Sequence, residues 1–144
     1  MNTGCQLIFD VQGLQILDEQ TCWRLVDSLQ VGRIAFVSHG NPIILPVNHR
    51  VDGDSVAFRS AEGSKLTTAI LRRRVAFEVD DWSAHHRSGW SVVVSGVAMP
   101  VTGGPRLARL EAMGLEPWAN AVDRTHWICI RADAISGRRT PPKP

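Results

Sequence analysis

The chain contains no tyrosine and only three cysteines, Cys5, Cys22 and Cys129, among its 144 residues. An odd number of widely spaced thiols with no CxxC pair supports neither a disulfide framework nor a zinc site, so they read as reduced, small apolar fillers. Excess charge is scarce as well, with a formal net of +2. That balance argues against a nucleic-acid or anionic-membrane partner. The densest basic run, Arg72 to Arg74, has no aromatic residues interleaved and reads as a solvated helix end. No apolar run approaches the ~20 residues of a membrane span, and the first residues lack the basic region and cleavage site of a secretion signal. A cytoplasmic chain is the expectation. The motifs GxxxxGK[ST], GxGxxG and GxSxG are all missing, which leaves a phosphate loop, a dinucleotide fingerprint and a serine nucleophile unsupported.

What is present describes one globular domain over residues 1–144, with 44% hydrophobic and 21% charged residues and no repeat or low-complexity segment. Residues 1–12 and 137–144 lack sustained patterning and read as loose or partner-contacting arms. From Leu17, the spacing of Cys22, Leu25, Val26 and Leu29 behind Asp18 predicts a capped amphipathic helix. VGRIAFVS, IILPVNHRV and SVAFRS follow as three strands, punctuated by Gly40-Asn41-Pro42 and Asp52-Gly53-Asp54. A short helix is expected from about Ser64 to Leu71. RVAFEVDDW and GWSVVVSGVAMPV supply two more strands, the second bending at Gly96. Pro105 to Leu115 reads as a helix and HWICIRADAI as a sixth strand. Six strands without βαβ alternation predict a mainly β fold, a closed antiparallel barrel with short helices.

The stretch FRSAEGSKL carries the most chemistry. Arg59, Ser60, Ser64 and Lys65 leave a strand and enter a helix within seven residues, where free backbone N–H groups, a planar guanidinium and an ammonium can cradle an anion such as a phosphate monoester. Gly63 there permits close approach of a ligand. The same spacing also fits an ordinary strand-to-helix surface turn. Other constellations carry less. His85 and His86, beside Asp80 and Asp81, are sequence neighbours that point apart on an extended chain, and no third ligand is in register, so they read as a solvated turn. His49 alternates with Val47 and Val51 and is expected to face solvent, with a ligand-facing position as the alternative. The five tryptophans form no stripe and read mostly as core or interface residues, although Trp90 and Ser91 can offer a flat ligand a wall and a hydroxyl.

Taken together, VGRIAFVSHGNPIILPVNHRVDGDSVAFRSAEGSKL, VAFEVDDW, GWSVVVSGVA and HWICIRADAISGRR resemble the pyridoxamine 5′-phosphate oxidase-like family of FMN-binding split β-barrels, over residues 17–139, and most of all its small actinobacterial members. The resemblance implies a six-stranded split barrel that forms a homodimer with FMN at the subunit interface. It implies a phosphate segment at Arg59, Ser60, Ser64 and Lys65, and a strand edging the flavin ring at Pro46, Val47 and Asn48. It further implies that Ser91, with Trp90 beside it, reaches the flavin, that Trp127 occupies the C-terminal aromatic position, and that Arg138 and Arg139 reach across the dimer. Two departures stand out. Arg59 replaces the family's usual tyrosine in the phosphate segment, and ISGRRTPPKP stands where the vitamer oxidase carries an Arg-His-rich substrate motif. The expectation is therefore a flavin-dependent oxidoreductase acting on an unknown small molecule, with a deazaflavin-dependent reductase or a non-catalytic flavin-binding or storage dimer as alternatives.

Overall fold

A computed structural model describes residues 6–116, 126–141 and 143. Its elements run in the order β1 (Ile8–Phe9), β2 (Gln15–Ile16), α1 (Glu19–Ser28), β3 (Val31–Ser38), β4 (Asn41–Asn48), β5 (Arg50–Asp52), β6 (Ser55–Ser60), α2 (Lys65–Ile70), β7 (Arg74–Ser83), β8 (Ser88–Val101), α3 (Gly104–Met113) and β9 (His126–Arg139). The six longer strands are the six expected from the sequence. Every ladder between strands is antiparallel. The ladder passes from β4 through β3, β7 and β8 to β9, which pairs with β2 near its C-terminal end and with β6 near its N-terminal end, while β6 carries β5. It is open rather than closed, because no ladder joins β4 to β5 among the described residues. Pro42 and Pro46 account for this in part: β4 pairs only with β3, and an edge strand tolerates residues that have no N–H to donate.

Period-two alternation sets the inner face. Ile34 and Phe36 of β3, Val75, Phe77 and Val79 of β7, and Val92 and Val94 of β8 are all buried and form one cluster with Phe58, Ile128 and Ile130. Helix α1 closes this cluster with Cys22 and Val26, and Asp18 caps it by accepting from Thr21 N–H at 2.7 Å. Cys22 and Cys129 are buried free thiols, as expected of fillers; Cys5 lies outside the described residues. A second cluster, Leu110, Leu115, Trp127, Cys129 and Ala57, lies under α3. The bend expected at Gly96 is a β-bulge between Ser95 and Gly96. A Cβ at Gly96 would stand 2.1 Å from the Arg131 carbonyl oxygen, so this close crossing of β8 and β9 requires glycine.

Three local expectations are corrected. The strand through His49 divides into β4 and β5, and His49 is 1% exposed rather than solvent-facing. The chain turns there, His49 N–H donating to the Gln30 carbonyl at 3.1 Å, which breaks the alternation that had placed the side chain outward. Residues 137–139, expected to be loose or partner-contacting, belong to β9: Gly137, Arg138 and Arg139 pair with Val92, Ser91 and Trp90. Beyond them Thr140 N–H donates to the Gly89 carbonyl, and Lys143 Nζ to the carbonyl of His86, so the tail is stitched to the β7–β8 hairpin. Finally, α2 ends at Ile70, and Arg72 and Arg73 occupy the connection to β7 rather than a helix end.

Candidate flavin-phosphate site

Three separate segments converge on a cavity of about 300 Å³: Pro46, Val47 and Asn48 from β4, Arg59 and Ser60 from the end of β6, and Ser64 with Leu66 around the start of α2, with Leu115 as a further wall. These segments lie on strands that are not neighbours in the ladder, β4 at one edge and β6 beside β9, yet they line one cavity. Six of the residues expected in a cofactor site thus line one cavity.

Arg59 is half-buried and held from behind. Its Nη1 donates to the Leu115 carbonyl at 3.1 Å, and its guanidinium carbon lies 5.9 Å from the centre of the Trp127 ring. Arg59 and Trp127 are register partners on β6 and β9. Trp127 is 2% exposed and donates from Nε1 to Glu111 at 3.0 Å, so it is a support beneath Arg59 and not a wall of the cavity. The Nε of Arg59 is buried and has no hydrogen-bond partner among the described residues. A buried donor left unmade costs about 1–3 kcal/mol, and an anion seated beside Arg59 removes that cost.

Ser60 and Ser64 meet at Thr67, which sequence reasoning missed. Ser64 caps α2 by accepting from Thr67 N–H at 3.1 Å, and Thr67 Oγ1 donates to the Ala61 carbonyl at 3.0 Å. Ser60 Oγ and Ser64 Oγ lie 2.5 and 2.9 Å from Thr67 Oγ1. With its own proton committed, Thr67 accepts both serine protons, so the serines must turn to donate to an anion. Thr67 stands three residues after the cap, a position at which a hydroxyl returns to the capping residue; that spacing was the available signal. Gly63 adopts φ +67°, a backbone conformation that favours glycine in this turn. Helix α2 has only six residues, too short for a large macrodipole. Lys65 opens α2 exposed and outside the lining of the cavity.

The remaining expected residues lie elsewhere in the chain. Trp90, Ser91 and Arg138 line a cavity of about 390 Å³ beside the β7–β8 hairpin. Arg138 Nε donates to Asp10 at 3.0 Å. Ser91 pairs with Asp80 on β7, and β7 and β3 both stand between it and β4. Three strand spacings amount to about 14 Å.

The profile of the family described as Pyridoxamine 5'-phosphate oxidase matches residues 18–139. The chain belongs to this family. Among its relatives is an uncharacterized protein of Mycobacterium tuberculosis, 35% identical over 129 residues, covering 85% of this chain and 83% of the relative. Among solved structures, the FAD binding protein from Mycobacterium smegmatis is 37% identical with a TM-score of 0.75, covering 87% of this chain and 97% of that one. A conserved protein of unknown function from Corynebacterium diphtheriae is 28% identical with a TM-score of 0.73, covering 89% and 98%. Within this family frame, the orphaned Arg59 Nε is the strongest local fit to a phosphorylated cofactor. The serine hydroxyls fit only after turning.

Proposed function

We propose that the chain is a flavin-binding homodimer that acts as an oxidoreductase on a small molecule. The observation that carries this reading is the convergence of Pro46–Asn48, Ser60, Ser64 and the unpartnered Nε of Arg59 on one cavity. Arg59 and Lys65 would hold a cofactor phosphate, and β4 would edge the ring. Trp90, Ser91 and Arg138, on a separate cavity in one chain, are left to serve the site of a second copy. Flavin, when bound, supplies hydride or electron transfer, while the chain supplies position and electrostatics. FMN is the form the sequence motifs resemble, and the FAD-binding relative at 37% identity favours FAD as the second reading. Among the described residues the lining of the Arg59 cavity contains no histidine, carboxylate or lysine, which also suits a carrier without turnover.

The test is titration of purified protein with FMN, FAD and a deazaflavin coenzyme, followed by flavin fluorescence, together with the mass of any co-purifying cofactor. Micromolar or tighter binding of one form is expected. Arg59→Ala and Lys65→Ala should each weaken it about tenfold or more, as expected for one charge-assisted contact. Unchanged affinity in both variants overturns the phosphate assignment, and failure of all three cofactors to bind overturns the flavin reading. Reduction of bound flavin by a nicotinamide donor and its reoxidation by an acceptor separate an enzyme from a carrier.

A further inference from the structure

Ser60, Ser64 and Thr67 tie their hydroxyls into a closed knot at the wall of the Arg59 cavity. Both serines line the cavity and Thr67 does not; Thr67 is 8% exposed and Ser60 4%. Each hydroxyl has one proton and two lone pairs, so the direction of every bond can be counted. The Thr67 proton goes to the Ala61 carbonyl, and the protons of Ser60 and Ser64 both go to Thr67 Oγ1, filling its lone pairs. Ser64 Oγ in turn accepts from Thr67 N–H. The knot satisfies itself without a ligand.

An anion brings acceptors only. To reach it each serine must turn its proton away from Thr67, which strands lone pairs on a buried oxygen, and stranded buried acceptors are costly. Arg59 Nε is the opposite case, a buried donor with no bond to give up. Thr67 and the ligand therefore compete for the same two protons. We propose, resting on the phosphate reading of this cavity, that Thr67 is a positioning residue that holds anion affinity down by keeping the serine donors turned inward. Phosphate capture then depends on Arg59 more than on the serines. Removing the Thr67 hydroxyl should tighten binding, the reverse of what loss of a merely structural contact does. The Ala61 carbonyl loses its donor with or without a ligand, so that loss cancels from the affinity. The serine oxygens lie 3.3 Å apart, so one hydroxyl can turn to the other, and at least one proton is left to the anion.

The test titrates inorganic phosphate, FMN, FAD and riboflavin into the full chain and into its Thr67→Val, Thr67→Ala and Thr67→Ser variants, by calorimetry and by flavin fluorescence. Thr67→Val keeps the β-branch and the backbone N–H that Ser64 caps. It is expected to bind phosphate, and whichever phosphorylated flavin the parent binds, roughly tenfold more tightly, as for one hydrogen bond to a charged group. Riboflavin, which has no phosphate, should bind it as it binds the parent. Without ligand the variant should melt at a lower temperature, because a buried serine proton has lost its acceptor. Thr67→Ala removes the same hydroxyl and should tighten binding likewise, so a folding defect in one variant, read by circular dichroism, leaves the other to decide. Thr67→Ser restores the hydroxyl and should return the affinity toward that of the parent. Phosphorylated-flavin affinity that is unchanged or weaker in the folded Val and Ala variants overturns the proposal while the flavin reading stands, and so does riboflavin binding that tightens as much. Absence of binding by phosphate and all three flavins, in parent and variants alike, overturns the flavin reading and the proposal together.

Discussion

Among the described residues two buried side-chain nitrogens lack partners, Arg59 Nε at the candidate site and His49 Nδ1 away from its lining, and they make opposite demands. The buried, unpaired Nε–H of Arg59 is a donor in want of an anion. His49 is buried beside Phe77, its ring edge-on at 5.0 Å, and its Nε2 donates to the Val26 carbonyl at 2.8 Å, which leaves Nδ1 as a bare acceptor. Burial holds its pKa below the ordinary value of 6.5, opposed by the Val26 carbonyl and the Asp27 charge, with Arg50 pushing the same way as burial. The unfolded chain then binds a proton more readily than the folded one. The histidine's contribution to stability is complete above its unfolded value near 6.5 and is lost as pH falls below it. The melting temperature of the parent should decline on acidification from pH 7 to 5. His49→Gln, which keeps a donor for Val26 but does not titrate, should show a flatter profile over the same interval. Parallel profiles in the two proteins would remove His49 as the source.

At the scale of elements, α3 is the part that turns a strand end into a site. Asp52 at the end of β5 accepts from Arg109 Nε and Nη2, both at 3.1 Å, and lies 3.3 Å from Arg106 Nε. Arg106 and Arg109 are three residues apart on one face of α3. This lock sets Leu110 on Trp127 and brings Leu115 to the back of Arg59. The Arg109 hydrogen bonds hold the Asp52 carboxyl below its ordinary 3.8. Its stabilisation is therefore present above that value and lost as pH falls through the lower folded one. Asp52→Asn should lower the melting temperature at pH 7 by roughly 3–6 °C, with the difference shrinking as pH drops below 3.8. A difference that persists at acid pH would point to packing instead of the ion pair. The sequence made the helices, the six long strands and the Gly96 bend legible, because each has a local cause: a cap, a period or a missing Cβ. It left Thr67, the Asp52 lock and the buried His49 hidden, because these depend on which distant segments meet. Trp127 illustrates the gap, having been placed among the cofactor residues by position while its indole lies under Arg59.

For the whole molecule, the decisive surface is the outer face of the sheet. Register lines Arg33 with Glu78 and Val93, and Ala35 with Ala76 and Ser95, across β3, β7 and β8. Val37 and Ile44 extend this face, 60% and 66% exposed. Rows of alanine, serine and valine present a flat surface against which another sheet can pack closely, and apolar side chains left this open favour being covered. Within it Glu78 is held above its ordinary carboxylate value, by burial first and then by Asp80, while Arg33 opposes the shift from 3.6 Å. The proposed homodimer should sediment at twice the 15.9 kDa of one chain. Ala76→Glu puts a new carboxylate where two copies would press small side chains together, on a residue that points away from the core. It should yield a folded monomer by sedimentation and circular dichroism. Because Trp90, Ser91 and Arg138 are proposed to complete the site of the other copy, the same variant should bind flavin at least tenfold more weakly. A monomer that keeps the parent's flavin affinity would mean that each chain holds its cofactor with the Arg59 cavity alone.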